Sequence, residues 1–265
     1  MTPVTRAVSI AAKADAAIDA SAQKNDVAQN APHHILLRPI WDLRARTAST
    51  FFCEPSIEPR DSVAGAKIQE FDPIGRTARA EIIQLQQAAK CATHIRAGGQ
   101  IGAVGAAVSF DTLSRASSRA AYLATLRGLD FRTKAPLILK LTAIPAGAAS
   151  LKVAELVNLI SAPYVVTVVQ AVDLAVLIEA SAFRVAAGYG LTFEGIDDVD
   201  VAERTADHLV RFADSKGGFA FIEDLNTSSI LNAAARKGVR FGSGMAFPLT
   251  RLSLDGDLPK LPLRA

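Results

Sequence analysis

The chain has few cysteines, few aromatics and little excess charge, and each shortage removes a class of protein. Two cysteines, Cys53 and Cys91, in 265 residues cannot build a disulfide framework or a four-ligand zinc site. Both read as buried structural thiols in a reducing, cytoplasmic setting. Aromatics supply 6% of the residues whereas 49 are alanine, which favours closely packed helices over an aromatic-rich sandwich. The net charge of +3, from 29 Lys and Arg against 26 Asp and Glu, is too small and dispersed for phosphate-backbone binding, so no nucleic-acid polymer is expected as partner. No run approaches the about 18 consecutive apolar residues that cross a bilayer, so no membrane partner is expected either. What the chain does have is a 50% apolar content over a length sufficient for one large core.

Residues 1–32 are Ala-rich but carry Lys13, Asp15, Asp19, Lys24 and Asp26, so they lack the apolar centre of a secretory signal and read as a mobile or helical leader. Segments 33–43 and 47–57 form two short strands in a hairpin, and Pro39 suits an edge or a strand end. Residues 61–70 are polar linker. From Pro73, Ile74, Ala78, Ile82, Leu85 and Ala89 recur at helical spacing, and Gly98–Gly99 stops that helix. Strands at 101–110, 137–142, 164–170, 190–194, 218–224 and 239–243 then alternate with helices at 111–129, 149–161, 171–182, 201–214 and 228–237. Strict alternation implies parallel strands joined by right-handed crossovers. Seven or eight strands in this length fit a (β/α) barrel spanning 33–255, with a tail at 256–265.

A parallel barrel meets its ligands at the C-terminal strand ends, and few candidates lie there. Strand 218–224 ends in Glu223 and Asp224. Asp197, Asp198 and Asp200 precede a helix, where acids cap the N-terminal dipole end, and a cap is the reading preferred over a metal site. His33, His34, His94 and His208 lack metal-ligand or nucleophilic spacing, and Trp41 reads as core. Gly242-Ser-Gly244 follows a strand and is a candidate to present backbone N–H groups to an anion.

Two segments carry a family resemblance. Arg38-Pro-Ile-Trp-Asp-Leu43 is similar to the opening Gln-Pro-Ile-Val-Asp-Leu of EAL domains, the bacterial cyclic-di-GMP phosphodiesterase fold. Phe221-Ile-Glu-Asp-Leu-Asn-Thr227 resembles that family's Ile-Ala-Glu-Gly-Val-Glu-Thr. Gly238-Val-Arg-Phe-Gly-Ser-Gly244 and Phe247-Pro248 then follow at matching spacing. The resemblance covers roughly residues 33 to 248 and implies a modified TIM-like barrel with one antiparallel strand near its start.

The same resemblance implies a dismantled active site. The signature Glu-Ala-Leu falls on Phe52-Cys53-Glu54, which puts Phe52 in place of the metal-binding Glu and Glu54 two residues later on the same strand face. Ser56 stands for the family's Arg, Ser109 for its Asn, and Lys140-Leu-Thr-Ala143 for Glu-x-Thr-Glu, placing a cation where a metal ligand would be. The paired aspartates fall near Val168-Val169, the Lys-x-Asp segment near Thr192-Phe-Glu194 and the late Gln on Ser243. Glu223 keeps its acid.

These departures imply no catalytic residue, no metal ligand set and no cofactor. The expected function is a catalytically inactive EAL-like signalling protein acting through protein contacts. One alternative is a cyclic-di-GMP receptor that holds the nucleotide without cutting it, with Arg38, Glu54, Glu223, Asp224, Gly242, Ser243 and Gly244 as ligand-binding candidates. Another is an enzyme of unrelated chemistry using Glu54, Glu223 and Asp224 as acid–base groups. A homodimer face is implied by the resemblance alone.

Overall fold

The structure is a computed structural model that describes residues 36–54, 75–97, 102–129, 137–162, 165–182, 184, 186–247 and 261–262. The leader at 1–32, the linker at 61–70, Gly98–Gly99, Ser56 and Pro248 lie outside the described residues.

The two expected N-terminal strands are β1 (Leu36–Asp42) and β2 (Thr47–Glu54). They form an antiparallel hairpin, with Leu37 opposite Cys53 and Asp42 opposite Thr47. Asp42 shapes the turn by accepting the N–H groups of Arg44 at 3.0 Å and Ala45 at 2.8 Å, as Asp does in turns. Helix α1 (Arg76–Ala97) follows. Its Ala78, Leu85, Ala88, Ala92 and Ile95 are buried at the three-, four- and seven-residue spacing of one helix face.

The chain continues through β3 (Ala103–Ser109), α2 (Phe110–Ser114), α3 (Ala116–Gly128), β4 (Leu137–Thr142), α4 (Ser150–Ile160) and β5 (Val165–Ala171). It then forms α5 (Leu174–Ala180), β6 (Gly188–Thr192), α6 (Val199–Ser215), β7 (Phe219–Glu223), α7 (Ser228–Arg236), β8 (Phe241–Gly242) and β9 (Leu261–Pro262). Strands β2 to β8 pair in sequence order, all parallel. Strand β1 closes the ring antiparallel to both β2 and β8, so eight strands make a barrel with one reversed strand. Strand β9, in the expected tail, adds antiparallel to the start of β2, with Leu261 opposite Ala48.

Three local expectations are corrected. Pro39 suits an edge or a strand end, yet it lies in the middle of a strand that has neighbours on both sides. It is accommodated because the β1–β8 ladder engages only Trp41 and Asp42. Segment 111–129 was expected as one helix and is two, because Arg115 leaves the helical region at ψ 133 and Ser118 Oγ donates to the Thr112 carbonyl at 2.7 Å, a side-chain bond that competes with the helix ladder. Strand β6 begins at Gly188, two residues before the expected start. Gly188 and Gly190 are obligatory there: a Cβ would lie 2.4 Å from the Phe219 ring and 2.2 Å from the Phe221 ring.

Alternation sorts the barrel into two faces. Leu137, Leu139 and Leu141 of β4, with Tyr189 and Leu191 of β6, join one buried apolar cluster with the helices. Residues of the opposite parity, including Lys140 of β4, Gln170 of β5 and Glu223 of β7, face the lumen, where their side chains meet. Asp198 caps α6 by accepting the N–H groups of Asp200 and Val201, the capping role expected for that acidic run.

Candidate functional site at the C-terminal mouth

Because β1 runs opposite to the rest, its N-terminal half lies at the mouth formed by the C-terminal ends of β2 to β8. Arg38 there stands opposite Phe52. Its Nε lies 2.5 Å from Glu54 Oε1, and its Nη1 lies 3.8 Å from Asp224 Oδ1. Thr192 donates its hydroxyl to Asp224 Oδ2 at 2.7 Å. Asp224 reaches this position with φ at +62°, a left-handed conformation that Asp tolerates better than most residues. It directs the side chain back over the mouth just as the strand ends.

One layer deeper, Lys140 donates from Nζ to Glu223 Oε1 at 2.5 Å, and the Gln170 amide donates to Glu223 Oε2 at 3.0 Å. All three side chains are buried. The Lys140 ammonium also sits 4.9 Å from the centre of the Phe52 ring, a cation–π distance. Burial pushes the Glu223 carboxyl up, but the Lys140 charge and hydrogen bond, the Gln170 amide and Arg38 outweigh it and hold Glu223 below the usual carboxylate range. At Glu54 the balance reverses: burial pushes its carboxyl up, offset in part by Arg38.

The structure therefore brings Arg38, Glu54, Glu223 and Asp224 together. It adds Lys140, Gln170 and Thr192, which were not among the site candidates; the signal for Lys140 and Gln170 is a polar residue at lumen parity in an otherwise apolar strand. The segment Gly242, Ser243 and Gly244 is held by backbone hydrogen bonds and close packing. Ser243 N–H donates to the Ile222 carbonyl at 3.1 Å, Ala246 N–H to the Leu225 carbonyl at 2.9 Å and Met245 N–H to Asn226 Oδ1 at 3.4 Å. Gly244, at φ +146°, has the Leu225 backbone 2.4 Å from where its Cβ would be, so this glycine is a packing requirement.

The remaining positions named by resemblance are occupied by structure. Ser109 Oγ caps α2 by accepting from Thr112 N at 3.2 Å, and its own N–H goes to Glu81 Oε1 at 3.1 Å. Val169 and Phe193 are buried, and Glu194 is exposed. Cys53 and Cys91 are free and buried, Trp41 is buried, and His94 and His208 are exposed. Among the described residues, no three His, Cys, Asp or Glu side chains are grouped to hold a metal ion, and no helix is long and apolar enough to cross a membrane.

With the reversed strand and the acid-ended β7 in place, comparison with solved structures decides the architecture. The fold is that of an EAL domain. The FimX EAL domain superposes with a TM-score of 0.62 at 13% identity, covering 85% of this chain and 93% of that one. The Xanthomonas citri FimX EAL domain, solved in complex with cyclic-di-GMP, gives 0.60 at 12% identity over 79% and 84% of the two chains. BlrP1 of Klebsiella pneumoniae, solved as a manganese and cyclic-di-GMP complex, gives 0.56 at 12% identity. The match covers 82% of this chain and spans 56% of the BlrP1 chain. No family model and no curated protein matches the sequence.

Proposed function

We propose that this chain is a catalytically inactive EAL-fold signalling protein that acts through protein contacts. The observation that carries the proposal is the Lys140–Glu223 pair. A divalent cation needs carboxylate oxygens free to ligate it, and here the buried carboxylate at the mouth is taken by an ammonium and an amide. The second, Glu54, is taken by Arg38. The β2 position two residues before Glu54 holds the Phe52 ring, beneath Lys140.

Protein contact is favoured by what lies on the same end of the barrel. Leu151 at the start of α4 and Met245 after β8 are each 70% exposed, and Val172 after β5 is 63% exposed. All three follow C-terminal strand ends, so large apolar side chains stand around the mouth, where an interaction surface exposes them. Incubation of the full chain with cyclic-di-GMP and Mn2+, followed by nucleotide analysis, tests the reading. No cleavage is expected, and turnover abolished by Glu223→Gln would overturn it. Binding without cleavage would instead make the protein a nucleotide receptor.

A further inference from the structure

The lumen is not filled from end to end. TIM-like barrels pack their interior with layers of bulky side chains, but β3 and β6 place Gly105, Gly188 and Gly190 there. Ring atoms of Phe52, Phe219 and Phe221 occupy the Cβ positions of these glycines, so the rings are drawn onto the wall and the centre is left open. The result is a cavity of about 210 Å3 opening at the N-terminal mouth, opposite the ion pairs. Its walls are Ile40, Ile138, Val166, Val168, Phe219 and Phe241, and Phe52, Phe221 and Glu223 close its inner end. Val166 at the opening is 41% exposed.

The lining limits the occupant. A cavity of about 150 Å3 with apolar walls stays dry and accepts a benzene-sized ligand, so this one has room for a phenyl group with a short tether. A helix of about 10 Å diameter cannot enter a space of this volume. Among the described residues the cation in the lining is Arg240, whose guanidinium lies 5.0 Å from the Phe241 ring centre and 3.7 Å from Asp42 Oδ2. Arg240 also borders a second, more polar cavity of about 400 Å3 beside Arg44 and Gly238, so the guanidinium stands between the two. We propose that the N-terminal mouth binds a small aryl-alkyl carboxylate, with the ring in the lumen and the carboxylate on Arg240.

Calorimetric titration of the full chain with 3-phenylpropionate and with 3-phenylpropan-1-ol tests this. Saturable binding is expected for both, with the acid tighter. Arg240→Gln is expected to weaken the acid about tenfold while sparing the alcohol, and each methylene removed from the tether to weaken binding up to about fourfold. Val166→Trp, at a partly exposed position, is expected to block both ligands. Methyl resonances of Ile138, Val166 and Val168 in the unmutated protein are expected to shift on adding either ligand. Absence of binding at millimolar ligand, or binding that Val166→Trp and those methyls do not register, overturns the proposal.

Discussion

The two mouths of the barrel solve opposite problems. The C-terminal mouth gathers five charged groups from β1, β2, β4 and the end of β7 and pairs them with one another, two cations facing three carboxylates. The N-terminal mouth carries apolar walls around space that its own side chains leave empty. One end is polar and filled, the other apolar and open, and both follow from which residues take lumen parity on the same strands.

The largest expected effect comes from breaking the polar end. Lys140→Met leaves Glu223 charged, buried and without its cation, and breaking such a pair costs about 3–5 kcal/mol. Urea denaturation should show that loss, and the double variant Lys140→Met/Glu223→Leu should recover most of it, because apolar replacement of a whole buried pair is often neutral. Equal losses in the single and double variants would show that the pair's ionic character is not what matters there.

Next in size is a change to the glycine wall between the two ends. Gly190→Ala puts a methyl against the Phe221 ring, and overpacking of this kind costs about 1–3 kcal/mol. Adding Phe221→Leu should return part of it in thermal unfolding.

Acid sharpens the comparison further. Glu223 is held below its ordinary value near 4.5, so its stabilising contribution is present above that value and is lost as pH falls through the lower folded one. Glu54 and Glu81, pushed up by burial, act with the opposite sign, and their ionisation above the ordinary value costs stability. Stability followed from pH 6 to pH 3 should fall more steeply in the unmutated protein than in the Lys140→Met/Glu223→Leu variant.

The smallest effect is at the rim. Arg38 and Glu54 have side chains each 36% exposed, so Arg38→Gln should cost under about 1 kcal/mol, less at high salt.

Much of this architecture is legible in the sequence because the helix-facing halves of the strands are apolar but for Thr167 and the helices keep one buried face. The β6 start is not legible, since Gly188 has no side chain to join the apolar pattern and only the Phe219 and Phe221 rings on the neighbouring β7 explain the two glycines. The break at Arg115 depends on where the Ser118 hydroxyl points, which spacing does not encode. Within the site, Glu223, Asp224, Arg38 and Glu54 are readable as polar residues at strand ends. Their pairing is not, because it is set by the shear of the barrel and by the left-handed turn at Asp224. Gln170 and Thr192 become site residues only once Glu223 and Asp224 are placed beside them.

In this structure the chain's own cations occupy the carboxylates of the C-terminal mouth. Calorimetric titration of Mn2+ into the full chain tests it most directly, with Glu223→Gln as the control. No saturable binding is expected at millimolar Mn2+ in the unmutated protein. Stoichiometric Mn2+ binding that disappears in Glu223→Gln would contradict it.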